Sequence, residues 1–275
     1  MVKFAPPIAP LFVPGSRSDR FEKADTSGAD SVILDLEDAV APKDKDEARH
    51  AIVAKVADFQ SPVIIRINAA DTPWHDADVS AVSGLHGATI MLPKAERPET
   101  IRQLVGKIGI DKPVIALIET AVGLLNLSEI LQTNGVVLAA FGSVDFALDV
   151  GCEHDRMALA SARSEIVWRS RAARLLPPLD GVCTSIKDRE ACVDECEYAV
   201  KLGFGGKLAI HPSQIDTIFK SFKPSDSAIR WSKHVLSLEQ SGGAKQIDGE
   251  MIDRPLVERA RRVLERAKLF ELKRS

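Results

Sequence analysis

Residues 114–126 read VIALIETAVGLLN. The run from Val114 to Ile118 is unbroken and apolar, too continuous for a half-exposed strand. Parallel strands covered on both faces read this way. The run stops at Glu119-Thr120, after which Leu124, Leu127 and Leu131 recur at helical spacing. The stretch is one strand, a polar turn and one helix, about the size of a βα repeat. Working outward, apolar runs of the same kind lie at 10–13, 31–36, 63–67, 88–92, 137–141, 179–183 and 207–210, making eight in all.

Helix-type segments fill the intervals. Phe21 and Ala24 follow Ser18, and Gly28 closes their helix. Ala48, Ile52 and Val56 share a face after Pro42; Ile101, Leu104, Val105 and Ile108 repeat the pattern, as do Val193, Cys196, Val200 and Leu202. Eight such units predict an α/β chain folded as a closed (β/α)8 TIM barrel, which takes about 250 residues. A doubly wound open sheet fits less well. The first strand–helix turn has neither a G-x-G-x-x-G nor a G-x-x-x-x-G-K-[ST] loop, and the GFGG at 203–206 precedes a strand. The units end near His211, so residues 1–211 are expected to form the barrel and 212–275 an appended helical arm or lid. That arm holds a helix around Trp231, a break at Gly242-Gly243, and a last helix from near Pro255. Leu256, Ala260, Val263, Leu264 and Ala267 lie along one side of the last helix.

Composition bounds the function. The 275 residues carry 36 Lys and Arg against 39 Asp and Glu, a formal charge of −3. With 45% hydrophobic residues this excludes a disordered or collagen-like chain. The charge argues against broad attraction to nucleic acid or an acidic membrane. No apolar run approaches the roughly 18 residues that span a bilayer, and the N-terminus lacks the succession of a signal peptide. Cys152, Cys183, Cys192 and Cys196 do not read as a disulfide framework in a chain this long. Cys192 and Cys196 are a conceivable metal pair without a second pair nearby, so packed, reduced thiols and a cytoplasmic location are expected.

Active sites of barrels lie at the C-terminal ends of the strands. There this sequence places Arg17, Asp35, Glu37, Asp38, Arg66, Lys94, Glu119, Asp145 and His211. Glu119 and Asp145 end neighbouring strands, which run about 4.8 Å apart. Carboxylates that close repel unless a cation or a shared proton intervenes. A hard divalent ion such as Mg2+ would take one or two of them and complete its shell with water and substrate oxygens; alternatively each satisfies a loop backbone or an arginine. Arg66 either neutralises Asp35 or Glu37 or clamps a substrate carboxylate. Glu37 and Asp38 serve as partners to the site or as charge for the helix after Pro42. Arg17, Arg20 and Lys23 form a small basic cluster, read as a solvated helix start or a phosphate contact. His211 precedes a proline and reads as a base or a packed, hydrogen-bonded residue. Lys94 raises Schiff-base chemistry, and Asp253 has the position of a helix N-cap.

Eight segments together resemble the HpcH/HpaI aldolase and citrate lyase beta-subunit family. They are LFVPGSRSDRFEKA from Leu11, SVILDLEDAVAPKDKDEAR from Ser31, IIRINAADTPW from Ile64 and IMLPKAE from Ile90. VIALIETAVGLLN from Val114, AFGSVDFALDVG from Ala140, GFGGKLAIHPSQI from Gly203 and DGEMIDRP from Asp248 complete the set. Within that family the likeness is to stand-alone, citrate lyase beta-like CoA-ester lyases. The resemblance implies a Mg2+-dependent (β/α)8 enzyme, a homotrimer or hexamer, that cleaves a 3-hydroxyacyl thioester reversibly. Citryl-CoA, malyl-CoA or citramalyl-CoA would yield acetyl-CoA and oxaloacetate, glyoxylate or pyruvate. It implies Glu119 and Asp145 as Mg2+ ligands and Arg66 as the group binding the oxo-acid carboxylate and enolate oxygen. It implies Phe12, Arg17, Lys23, Val144, Ile210 and His211 along the CoA or acyl-carrier arm. It implies Asp253 as the acid/base delivered to a neighbouring subunit's site. Two alternatives stay open: an aldolase acting on free 4-hydroxy-2-oxo acids, and a beta subunit active only with an acyl-carrier partner.

Overall fold

The computed structural model describes residues 4–240, 246–247, 250–251 and 253–274. The chain divides into two compact units, Met1–Phe219 and Lys220–Ser275.

In the first unit eight parallel strands pair in chain order: β1 (Leu11–Pro14), β2 (Val32–Asp35), β3 (Val63–Arg66), β4 (Thr89–Leu92), β5 (Val114–Ile118), β6 (Val136–Phe141), β7 (Leu179–Asp180) and β8 (Gly206–Lys207). Between them run α1 (Phe21–Asp25), α2 (Lys45–Lys55), α3 (His75–Ser83), α4 (Pro98–Ile108), α5 (Ala121–Leu125), α6 (Leu127–Leu131), α7 (Ser143–Val150), α8 (Ala160–Ala172) and α9 (Arg189–Leu202). The sheet is curled like a barrel. Past β8 the chain meets β1 again: Phe12 N–H donates to the Ala209 carbonyl at 2.8 Å, and Ala209 N–H to that of Pro10 at 2.9 Å. β7 and β8 are two-residue ladders, shorter than the apolar runs that announce them.

Alternation along the strands decides where the core ends and the site begins. Ile33, Ile64, Met91, Ile115, Leu117, Leu138, Ala140, Leu179 and Leu208 form one buried cluster. Side chains on one face recur every second residue. Two steps beyond Ile33 is Asp35; beyond Ile64, Arg66; beyond Leu117, Glu119; beyond Ala140, Gly142. The same face that packs the core turns polar at its C-terminal end.

Two helices differ from the expected pattern. Leu124, Leu127 and Leu131 do not share one helix, because α5 ends at Leu125 and α6 starts at Leu127. Between them Asn126 donates from its side chain to the Glu96 carbonyl at 2.9 Å, a tertiary bond. In α9 the buried face is Cys192, Cys196 and Ala199, with Val193 and Val200 only half-buried. Glu195 shares that face and lies 3.1 Å from Lys207, a fully buried lysine on β8. A buried ammonium without carboxylates is costly, so the helix turns its acid inward.

The second unit takes in the last turn of α10 (Ile215–Phe222), then α11 (Asp226–Gln240), a two-stranded antiparallel pair at Gln246–Ile247 and Glu250–Met251, and α12 (Arg254–Arg274). Val235 of α11 packs on Val257 and Ala260 of α12, with Trp231 and Leu256 beside them. The expected break at Gly242-Gly243 lies outside the described residues.

Candidate active site

A cavity of about 360 Å³ opens at the C-terminal ends of the strands in the first unit. Phe12, Arg66, Glu119, Val144, Asp145 and Ile210 line it together. Arg17, Lys23 and His211 are not among its lining residues. Arg17 is exposed and pairs with Asp19 at 2.7 Å, Lys23 faces solvent, and His211 Nδ1 lies 2.7 Å from Ser213 Oγ in the turn that opens α10. Asp253 lies in the second unit at the start of α12, where Leu256 N–H donates to its carboxylate at 3.0 Å.

Arg66 ends β3 opposite Asp35 on β2, in direct register. Its Nε and Nη2 each donate to an Asp35 oxygen at 2.7 Å. Nη1 lies 3.0 Å from Glu37 and 3.9 Å from Asp38, and the guanidinium sits 4.9 Å over the Phe12 ring. Burial works against the charge of Arg66, but Asp35, Glu37 and Glu119 together outweigh it and hold the group above its ordinary value. Arg66 is a fixed, permanently charged plate at the floor of the cavity. Asp35 is itself fixed, accepting from Glu37 N–H at 2.9 Å and Ala39 N–H at 3.1 Å. Lys45 holds the same turn from beneath, donating to the Leu36 and Glu37 carbonyls and to Asn68 at 2.6–2.8 Å.

Glu119 follows β5 and is 2% exposed. One carboxylate oxygen accepts from Lys94 N–H at 2.7 Å. The other, Oε2, is buried without a hydrogen-bond partner. Burial, then repulsion from Glu37, pushes Glu119 up to about 8. Burial raises Asp145 too, with Asp38 adding to it, and Glu37 is pushed up to about 7 for the same first reason. Glu37 Oε2 is close to Arg66, yet neither of its oxygens receives an aligned hydrogen bond. Room for the carboxylate comes from Gly142: a Cβ there would lie 2.5 Å from both Glu119 Cβ and Oε2.

The site is therefore rich in carboxyl groups. Asp35, Asp38, Glu119 and Asp145 all line the cavity, and Arg66 is the sole cation in that lining. A divalent cation removes the repulsion and gives the stranded Glu119 oxygen a partner. Among the described residues no three His, Cys, Asp or Glu side chains gather to hold a metal. What is offered is a carboxylate pair with the other positions left to water and substrate oxygens, the habit of Mg2+ rather than of zinc.

Lys94 is not among the residues lining the cavity. Its backbone lies in the left-handed region at φ 44°, which aims its N–H at Glu119. Burial would lower its ammonium, but Glu37, Asp38 and Glu119 hold it above the ordinary value, whereas a nucleophilic lysine needs a lowered one. All four cysteines are free, three of them buried. Cys192 is pushed up to about 12, because Cys196 and burial outweigh the downward pull of its bond with Cys183. These are packed thiols.

Reading strand ends found Arg66, Glu119 and Asp145. It missed Leu117, Phe141, Val182 and Leu208 in the lining, and the backbone bond from Lys94. The period-two continuation of the core face would have found Leu117 and Leu208.

A curled parallel sheet with carboxylates and an arginine gathered in one cavity at its C-terminal rim has the layout of a barrel-type enzyme site. The chain belongs to the HpcH/HpaI aldolase/citrate lyase family, whose model matches residues 9–212, and it is an enzyme of this lyase family. It is 36% identical over 265 residues to a citrate lyase subunit beta-like protein of Mycobacterium tuberculosis, with 94% of each chain covered. It is 33% identical to a (3S)-malyl-CoA thioesterase of Cereibacter sphaeroides, over 94% of this chain and 93% of that one. The crystal structure of CitE from M. tuberculosis in complex with magnesium, acetoacetate and coenzyme A superposes with a TM-score of 0.84 at 35% identity, covering 96% of this chain and 98% of that one. Magnesium there agrees with a Mg2+-dependent family. Among the described residues no helix is long and apolar enough to cross a membrane.

Proposed function

We propose that this chain is a Mg2+-dependent carbon–carbon lyase that cleaves a 3-hydroxyacyl-CoA, such as citryl-CoA, malyl-CoA or citramalyl-CoA, to acetyl-CoA and a 2-oxo acid, or runs the reverse condensation. One observation carries the reading. Glu119 is a buried carboxyl with a stranded oxygen, sharing one cavity with Asp145 and the fixed Arg66.

In cleavage the 3-hydroxyl loses its proton, the C2–C3 bond breaks, and its electrons collect on the thioester as an enolate. Glu119 and Asp145 would hold Mg2+, which when bound supplies Lewis-acid stabilisation to the oxo-acid half. Arg66 keeps its charge throughout and faces the enolate oxygen, with Asp35 holding its plane. Phe12, Val144 and Ile210 flank the thioester, and Arg17, Lys23 and His211 would lie further out along the CoA arm. The enolate carbon takes its proton from a positioned acid, a role for Asp253. We place Asp253 in the site of a neighbouring subunit of a homotrimer or hexamer. In that reading residues 1–211 close as a (β/α)8 barrel and 212–275 act as the arm and lid that exclude water. Four free cysteines suit the reducing cytoplasm. An acyl-carrier partner in place of free CoA is the variant of this reading favoured by likeness to citrate lyase beta subunits.

Hydrolysis of the thioester is the second reading, favoured by the relative named as a thioesterase. Purified protein with Mg2+ and a panel of citryl-, malyl- and citramalyl-CoA separates them. A lyase releases oxo acid and acetyl-CoA without free thiol. Oxo acid with free thiol means cleavage followed by hydrolysis, and hydroxy acid with free thiol means hydrolysis alone. No turnover of any CoA ester, with turnover of 4-hydroxy-2-oxo acids, would make the chain an aldolase.

A further inference from the structure

The head of α7 is clamped from two sides by groups outside the Glu119, Asp145 and Arg66 set. Gly142 and Ser143 turn the chain from β6 into α7, whose first turn carries Asp145. Ser143 is 1% exposed. Its Oγ shares a hydrogen bond of 2.9 Å with His154 Nε2. On the other side is Gly181, just past β7, where a Cβ would lie 2.1 Å from Ser143 Oγ and 2.7 Å from Ser143 Cβ. The Ser143 side chain is thus held between a bare backbone and an imidazole.

His154 follows α7 closely in the chain. The chain leaves α7 through Gly151 in the left-handed region, at φ 75°, and doubles back to the head of the helix it has just left. His154 lines a second cavity of about 380 Å³ with Arg163, Asp180 and Glu195. Arg163 and Lys207 both bond to Asp180, at 2.9 and 2.8 Å, and Lys207 lies 3.1 Å from Glu195. This buried ion network ties α8 and α9 to β7 and β8, and the imidazole faces the same cavity.

We propose that His154 is a positioning residue: through Ser143 it fixes the turn that presents Asp145 to the cation, with Gly181 as the matching recess. The inference rests on the Mg2+ reading of Glu119 and Asp145. Groups that orient a metal ligand without touching the metal are typically worth about 10- to 100-fold in affinity.

A double-mutant cycle on metal binding tests it. Mg2+ affinity is measured by calorimetry for the full-length wild type, H154A, S143A and the double variant. Amide exchange of the peptide at 141–150 is followed in metal-free protein. H154A and S143A are each expected to bind Mg2+ about 10-fold more weakly and to exchange faster at 141–150. The double variant should be no worse than either single, because both act through one bond. H154Q, which keeps a nitrogen at similar reach, should restore most of the affinity. Unchanged affinity and exchange in H154A overturn the proposal, as do losses that multiply in the double variant. Loss of thioester hydrolysis in S143A with Mg2+ binding and carbon–carbon cleavage intact also overturns it, making Ser143 and His154 a nucleophile and base instead. Should H154A not fold, S143A decides alone. If the wild type binds no Mg2+, the metal reading fails, and exchange then reads the clamp by itself.

Discussion

Asp35 and Arg66 stand opposite each other in register on β2 and β3, joined by two hydrogen bonds of 2.7 Å. Removing one partner of such a buried pair leaves a stranded charge and costs about 3–5 kcal/mol. Asp35→Ala is therefore expected to lower stability by that order, read as a shift in the urea midpoint. Arg66 would swing toward Glu37, and kcat should fall with little change in KM. A variant as stable and active as the wild type would mean that Arg66 is not held by Asp35.

Glu119 ties the cation to pH. Its carboxyl is pushed up to about 8, and a cation takes only the ionised form. Below that pH each Mg2+ bound displaces a proton, so affinity should rise with pH and level off above about 8. The sign for stability is opposite in metal-free protein. A raised carboxyl favours the fold while protonated, and that contribution is lost as pH climbs from 4.5 toward 8. Mg2+ should consequently raise Tm more at about pH 8.5 than at about pH 6. Chelation should abolish turnover and added Mg2+ restore it; full activity in chelator would remove the metal from the account.

Gly142 has an ordinary φ of −82°, so alanine there strains no backbone. Its Cβ would nevertheless lie 2.5 Å from Glu119. Gly142→Ala should push the carboxylate aside, lower stability by about 1–3 kcal/mol, and weaken Mg2+ at least about 10-fold, the lower end for a disturbed ligand. Calorimetry and thermal melts read the two effects separately.

Asp253 caps α12 through its bond to Leu256 N–H. Asparagine caps about as well as aspartate, so Asp253→Asn should keep the helix and the binding of acetyl-CoA. An amide cannot serve as the acid, and turnover should drop by about 100-fold or more. Near-normal turnover would leave Asp253 with capping as its whole role.

Much of the architecture was legible because buried parallel strands leave an unmistakable trace. Val114–Ile118 is the strand at the bounds its apolar run marks, and Glu119 and Arg66 announced themselves as charges closing such runs. Helix faces were less legible. Which side of α9 is buried depends on the Lys207 ammonium on the following strand, and the break at Asn126 depends on the Glu96 carbonyl.

The order of residues by itself determined the eight strands, their polar C-terminal rim and the pair of acids there, since these follow from local hydrophobicity and the two-residue period of a strand. Only the tertiary structure decided that Arg66 is gripped by Asp35, that one Glu119 oxygen is stranded, and that Gly142, Gly181 and His154 shape the turn before Asp145. Those facts are distances between segments eleven or more residues apart, and composition and spacing carry no trace of them.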